Sequence, residues 1–90
     1  MNDVRLRKQA LGNRNLGGAR GEAGRKSQGM KQKELLAQLQ VNGIDMNASG
    51  LSKLEGQLRS VTDFELAALS KILGVSIDWL LGLEQDKKAP

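Results

Sequence analysis

Apolar positions after residue 30 recur at the three- to four-residue spacing of an α-helix. Leu35 and Leu39 lie one helical turn apart in a segment whose other positions are mostly polar or charged. This arrangement predicts an amphipathic helix over residues 31–40. The dipeptide Asn42-Gly43 that follows is a strong turn signal, so we expect the helix to end there.

A second helix is predicted to begin near Ala48. Asn47 is a good N-cap residue, because its side-chain oxygen can accept a hydrogen bond from a free N–H group of the first turn. The apolar residues of this helix, at positions i, i+3 and i+7, are Leu51, Leu54 and Leu58.

The start of a third helix is marked by a capping box. Thr62 and Glu65 are three residues apart, so the hydroxyl of Thr62 can accept from the N–H of Glu65 while the carboxylate returns to the cap residue. The apolar residues predicted to line the buried face are Leu66, Leu69 and Leu73.

Gly74 and Ser76 separate this helix from a short last one. Gly74 is predicted to supply a left-handed C-cap, and Ser76 to cap a helix over residues 77–81. No segment alternates apolar and polar residues with the two-residue period of a strand. The pattern therefore predicts an all-α fold, a compact cluster of about five short helices.

Residues 12–29 break the helical pattern, because six of these 18 residues are glycine. Interior glycines lower helix propensity by about 1 kcal/mol each, so this segment is predicted to be a linker or a weak helix. We expect residues 18–27 to be frayed or only partly helical in the unbound chain.

The composition limits the class of protein. A chain of 90 residues allows one small domain, which gains stability from self-association, so a homodimer is expected. Cysteine and histidine are absent, which removes disulfides and the commonest metal ligands, nucleophiles and bases, so we expect no enzyme activity, metal or cofactor. No apolar stretch approaches the roughly 20 residues that span a membrane, and no signal peptide follows Met1. A cytoplasmic protein without a membrane or evident small-molecule partner is expected.

Charge is distributed unevenly along the chain. Residues 1–33 contain nine Lys and Arg against two acidic residues, a net charge of +7, whereas residues 34–90 contain five against eight, a net charge of −3. Clustered lysine and arginine favour a polyanionic partner, because they release counterions from phosphates. A basic tail that is merely solvated is the other interpretation of residues 1–14.

Three consecutive runs resemble one known family. Residues 30–39 read MKQKELLAQL, residues 48–57 read ASGLSKLEGQ, and residues 61–82 read VTDFELAALSKILGVSIDWLLG. In this order they resemble the lambda-repressor-like helix-turn-helix domains of phage repressors and small bacterial regulators, over about residues 25–83. The resemblance implies a DNA-binding domain whose recognition helix, at about residues 48–57, enters the major groove. The sequence departs from the family in the link Val41 to Met46, which is about five residues longer than the usual turn.

The resemblance also assigns contacts to individual residues. The residues implied to face the bases are Ala48, Ser49, Ser52 and Lys53. The residues implied to contact the DNA backbone are Lys31, Gln32, Asn42, Asn47 and Arg59. Lys53 is the strongest candidate, because an ammonium group can donate to guanine O6 and N7. The alternative for Lys53 is a solvated lysine without a partner.

Two structural roles are implied in the same way. Arg25 and Glu55 resemble a pair that family members bury as a structural ion pair between two helices. Family members also often dimerise through their C-terminal helices. The homodimer surface implied here consists of Ile77, Trp79, Leu80 and Leu83. A core position beneath the last helix is also implied for Trp79.

These expectations combine into a DNA-binding protein with three parts. Residues 1–15 are expected to form a basic N-terminal arm, residues 16–83 the helix-turn-helix domain, and residues 84–90 a short polar tail. The main hypothesis is a sequence-specific transcriptional regulator of the repressor type that binds double-stranded DNA as a homodimer. The alternative is an antitoxin or adaptor in which the same helices bind another protein. A hydrophobic tail would favour that alternative, and residues 84–90 are polar.

Overall fold

The computed structural model describes residues 16–84, which form five α-helices. The helices are α1 (Leu16–Ser27), α2 (Gln32–Val41), α3 (Ala48–Glu55), α4 (Asp63–Leu73) and α5 (Ile77–Leu80). No strand occurs among these residues, so the predicted all-α class is confirmed for them. None of the five helices is long and apolar enough to cross a membrane. The predicted arm, residues 1–15, and residues 85–90 of the predicted tail lie outside the described part of the chain.

The helix starts predicted from local polar residues are confirmed. Asn47 Oδ1 accepts a hydrogen bond of 2.7 Å from the N–H group three residues later. The capping box is complete: Thr62 Oγ1 accepts from Glu65 N–H at 3.2 Å, and Glu65 Oε1 accepts from Thr62 N–H at 3.0 Å. Ser76 Oγ accepts from Trp79 N–H at 2.9 Å and so begins α5. Each cap satisfies an N–H group that has no partner within its helix.

The recognition helix predicted over residues 48–57 is shorter than expected, because α3 ends at Glu55. The chain leaves the helix through Gln57, whose φ of 62° is left-handed. The N–H of Leu58 then donates to the carbonyl of Lys53 at 2.8 Å, which closes the turn. The prediction that Leu58 belongs to the buried face of this helix is wrong, because the helix ends before that residue and its side chain is exposed.

The glycine-rich segment forms helix α1, and its glycines form the face that packs against α4. A Cβ atom at Gly17, Gly21 or Gly24 would lie 3.1 to 3.5 Å from the nearest leucine methyl group. The leucines met in this order belong to α4 and are Leu66, Leu69 and Leu73. Helix α1 therefore runs beside α4 in the same direction, and small residues allow the close approach. A linker is thus excluded over residues 16–27, whereas the expected fraying of residues 18–27 stays a prediction.

The core is built mainly from leucine, as the composition requires. Helix α2 contributes Leu35 and Leu39, and α3 contributes Leu51 and Leu54. The remaining buried apolar residues are Met46, Ala68, Leu69, Leu73, Val75, Trp79 and Leu80.

Trp79 closes the core from α5, with 6% of its surface exposed. The guanidinium carbon of Arg20 lies 4.3 Å from the centroid of the tryptophan ring, and Arg20 Nε donates to the Trp79 carbonyl. The cation–π contact and the hydrogen bond together fasten α5 to α1. The core position expected for Trp79 is confirmed.

Candidate nucleic-acid interface

The carboxylate of Glu55, on the inner side of α3, joins three helices. Arg25, near the end of α1, donates from Nε to Glu55 Oε2 at 2.8 Å and from Nη2 to Oε1 at 3.0 Å. Gln32, the first residue of α2, donates from Nε2 to the same Oε1 at 2.9 Å. Arg25 Nη1 also donates to the Met30 carbonyl at 2.8 Å. Both charges are buried and satisfied, so this cluster orients α2 and α3 relative to α1.

The outer face of α3 carries the residues implied to face DNA bases. Leu51, Leu54 and Glu55 point inward, so helical periodicity turns the intervening positions toward solvent. The exposed residues of this face are Ala48, Ser49, Ser52 and Lys53. Three of the four side chains are short, which leaves the surface of the helix open to a close partner. Lys53 forms no ion pair with any residue between 16 and 84.

The first turn of α2 lies beside this face. Ser52 Oγ is 3.4 Å from Gln32 Oε1, which places Gln32 between the two helices. Lys31 and Lys33 flank Gln32 and are exposed. The backbone N–H of Lys31 donates to Glu34 Oε1 at 2.7 Å, so one free N–H of the helix start is already satisfied. We call the set formed by Lys31, Gln32, Lys33, Ala48, Ser49, Ser52 and Lys53 the α2–α3 face.

A groove of about 240 Å³ lies between the two helices within this face. Leu36, Ala48 and Leu51 form its apolar lining, and Gln32 and Lys33 complete it. The family resemblance implies no DNA contact for Lys33, although this residue lines the groove. Its place beside Ala48 depends on how α2 packs against α3, which no spacing along the chain reveals.

Two of the residues implied to contact the DNA backbone lie apart from the α2–α3 face. Asn42 follows the last residue of α2, about 15 Å along the helix from Gln32 because each residue adds about 1.5 Å. Its Nδ2 donates to the Gln38 carbonyl at 2.8 Å. Arg59 binds Glu65 with two N–H groups, at 3.0 and 2.8 Å. Asn47, in contrast, immediately precedes α3 and is exposed, although its side-chain oxygen caps the helix.

The pairing of Arg59 with Glu65 also affects the pKa of the Glu65 carboxyl group. Burial tends to raise the pKa of the Glu65 carboxyl group, but hydrogen bonds from Arg59 and Thr62 outweigh it and lower the pKa below the ordinary 4.5. Glu65 is therefore ionised at neutral pH. A carboxylate that already neutralises Arg59 competes with the phosphate contact implied for that arginine.

The residues implied to form a dimer surface are divided by the fold. Trp79 and Leu80 are buried in the core of the chain itself. Ile77 and Leu83 are 41% and 72% exposed. Only the latter two present substantial apolar surface to another molecule.

The candidate interface is thus a continuous surface from two helices, fixed from behind by the Arg25–Glu55 pair. It combines hydroxyl groups, a methyl group and three exposed lysines, which are groups able to meet base edges and phosphates. Comparison with protein-family models, with curated proteins and with solved structures found no match for this chain.

Proposed function

We propose that this chain is a sequence-specific DNA-binding regulator of the lambda-repressor-like class, with α2 and α3 as the two helices of its motif. The observation that carries the proposal is the α2–α3 face. On it, an outward row of small polar residues and one lysine on α3 lies next to two exposed lysines at the start of α2. The Glu55 cluster supports this reading, because a helix that reads bases must be held at a fixed angle.

The size of α3 fits the proposed role. An α-helix with its side chains is about 10 to 12 Å across, and the major groove of B-DNA is about 12 Å wide, so the groove admits α3. In the groove, Lys53 would donate to guanine, the hydroxyls of Ser49 and Ser52 would donate to or accept from base edges, and Ala48 would touch a thymine methyl group. Direct recognition of the base sequence by this helix would therefore be modest, because serine hydroxyls accept several bases and only one lysine favours guanine.

Phosphate contacts are proposed for the first turn of α2. Lys31 and Lys33 supply positive charge, and the free N–H groups of the helix start favour an anion. Gln32 Nε2 has two hydrogens, and the one that does not bind Glu55 is available for a phosphate oxygen. In this arrangement Gln32 would couple the position of the DNA backbone to that of the recognition helix.

The proposed mode of action is occupancy of a site in duplex DNA, in the manner of a small repressor. A homodimer would read two half-sites about 34 to 36 Å apart, because the recognition helices of a two-fold dimer enter successive major grooves on one side of the duplex.

Selection from a pool of random DNA duplexes at a stated salt concentration tests this proposal. The full chain is expected to enrich a defined sequence, and Lys53→Ala is expected to relax the preference at one base position. Lys26→Ala is the matched control, because Lys26 is an exposed lysine of α1 outside the α2–α3 face. An unchanged preference in Lys53→Ala would remove the assignment of that residue.

A second candidate function, an antitoxin or adaptor, is favoured by one observation. Phe64 and Val41 are 77% and 82% exposed, and large exposed apolar side chains are typical of protein contact surfaces. If the duplex selection enriched no sequence at all, this second function would be preferred.

A further inference from the structure

Helix α4 has a second, exposed face on the side away from α1. Phe64, Ala67 and Lys71 recur at helical spacing along it. With the link between α2 and α3, this face borders an open groove of about 480 Å³. The residues of the groove that matter here are Ile44, Asp45, Phe64, Ala67, Ala68 and Lys71. We call it the Phe64 groove, and it is separate from the α2–α3 face.

The Phe64 groove combines a protruding apolar side chain with a depression beside it. Phe64 is the only phenylalanine in the chain and is largely exposed, whereas the only tryptophan is buried. Val41, which immediately precedes the groove-lining Asn42, is also largely exposed. A phenylalanine buries about 150 to 250 Å² of surface when it is covered. A partner that covers Phe64 would therefore gain a large favourable contribution to the free energy of binding.

The charges at the groove are of both signs and are not neutralised locally. Asp45 and Lys71 both line it, and neither forms an ion pair with a described residue. Glu65, the other carboxylate of the lining, is bound to Arg59. A strongly acidic or strongly basic partner would therefore bring one of the two free charges against a like charge.

We propose that the Phe64 groove is occupied by a second copy of this chain in a two-fold dimer. Phe64 of each copy enters the depression of the other, and Lys71 pairs with the partner's Asp45. A two-fold interface uses the same patch from both subunits, so it requires a surface that complements itself in shape and in charge. The Phe64 groove meets both requirements. The proposal does not rest on DNA binding.

The size of the groove sets the strength of the expected dimer. Two phenylalanines supply roughly 300 to 500 Å² of the roughly 1,200 Å² that a specific interface buries. Val41, Ile44 and the polar rim must supply the rest. Self-association at micromolar rather than nanomolar concentrations is expected.

Sedimentation equilibrium of the full chain without DNA tests the proposal. The natural chain is expected to show a monomer–dimer equilibrium, and Phe64→Ser to raise the dissociation constant at least tenfold. Leu83→Ser distinguishes this surface from the C-terminal dimer surface that the family resemblance implies. Leu83 is comparably exposed, and the proposal expects its substitution to leave the constant unchanged. Trp79 fluorescence during urea unfolding establishes that each variant is folded.

A charge exchange tests the orientation of the two copies. Lys71→Glu is expected to weaken the dimer by placing a carboxylate against Asp45 of the partner subunit, and the double variant Asp45→Lys with Lys71→Glu to restore it. A chain that stays monomeric at all concentrations, or a Phe64→Ser variant that associates as the natural chain does, would overturn the proposal. Because no DNA is present, neither result bears on whether the α2–α3 face binds DNA. A chain that stays monomeric would also count against the paired half-sites, but not against binding of a single site.

Discussion

Arg25 and Glu55, which are 30 residues apart in the sequence, form a buried ion pair with two hydrogen bonds of 2.8 and 3.0 Å. Gln32 donates a third hydrogen bond to the same carboxylate. The pair therefore links the end of α1 to α3 and, through Gln32, to the first turn of α2. This buried charge pair thus sets the orientation of the surface proposed to bind DNA. The pair lies behind that surface and is not itself part of it.

Removing one partner of this pair is expected to be strongly destabilising. Arg25→Met leaves the buried carboxylate of Glu55 with only Gln32 as a side-chain partner. The expected loss in the free energy of unfolding, measured by urea denaturation, is about 3 to 5 kcal/mol, because an uncompensated buried charge remains. The double variant Arg25→Met with Glu55→Leu is expected to recover most of the loss, since neither charge is then present.

Lys26→Met is the control for the arginine variant. Lys26 is the next residue of α1 and its side chain is 65% exposed, so its ion pair with Glu22 contributes little. Its expected effect is below about 0.5 kcal/mol. If Arg25→Met had an equally small effect, the ion pair would not be buried in solution.

Substitution of glycines in α1 is expected to have the opposite effect, an increase in stability. A Cβ atom at Gly21 would lie 3.5 Å from Leu69 Cδ1, and one at Gly24 would lie 3.5 Å from Leu73 Cδ1, both ordinary contact distances. Alanine at either position should therefore fit and stabilise the helix by about 1 kcal/mol. Thermal unfolding should show a midpoint about 4 to 8 °C higher for each variant.

A larger residue at the same position is expected to reverse the effect. Gly21→Leu would overfill the contact between α1 and α4 and cost about 1 to 3 kcal/mol. Lower midpoints for both Gly21→Ala and Gly24→Ala would mean that the two helices approach more closely than the structure indicates.

Stability is expected to depend on pH through Glu65. Its pKa is lower in the folded chain than the ordinary 4.5, so its contribution is complete above 4.5 and is lost as the pH falls toward the folded pKa. The temperature of the unfolding midpoint of the natural chain should therefore decrease as the pH is lowered through this acidic range. Glu65→Gln should have a lower midpoint at pH 7 and a flatter acid limb. Arg59→Gln should flatten the limb in the same way, since Arg59 is the partner, and an acid limb unchanged in both variants would contradict the assignment.

DNA affinity is expected to fall with rising salt in a way that identifies the phosphate contacts. The slope of log K against log salt changes by about 0.9 for each phosphate contact that is lost. Lys31→Ala and Lys33→Ala should each reduce the slope by about this amount without changing sequence preference. The same measurement on Lys26→Ala, which removes an exposed lysine outside the α2–α3 face, should leave the slope unchanged. Equal slopes for all three variants would place the phosphate contacts elsewhere.

Residue types and their local spacing are sufficient to predict where most of the helices begin. Asn47, Thr62 and Ser76 each act within three residues of themselves, and Glu65 completes its capping box over the same distance. Gly74 adopts the expected left-handed conformation, with φ of 66°. Such interactions lie within one turn of helix, so the residue types and their spacing are sufficient to predict them.

What each helix packs against is visible only in the folded arrangement of the five helices. Glycine at positions 17, 21 and 24 weakens an isolated helix, and its use as a contact face appears only when α4 lies beside it. The spacing of the apolar residues likewise does not predict that α3 ends at Glu55. The Arg25–Glu55 pair is implied by family resemblance and by no local pattern, and the placement of Lys33 beside α3 follows from packing alone. Contacts between residues far apart in the chain depend on the mutual arrangement of the helices, which local spacing does not encode.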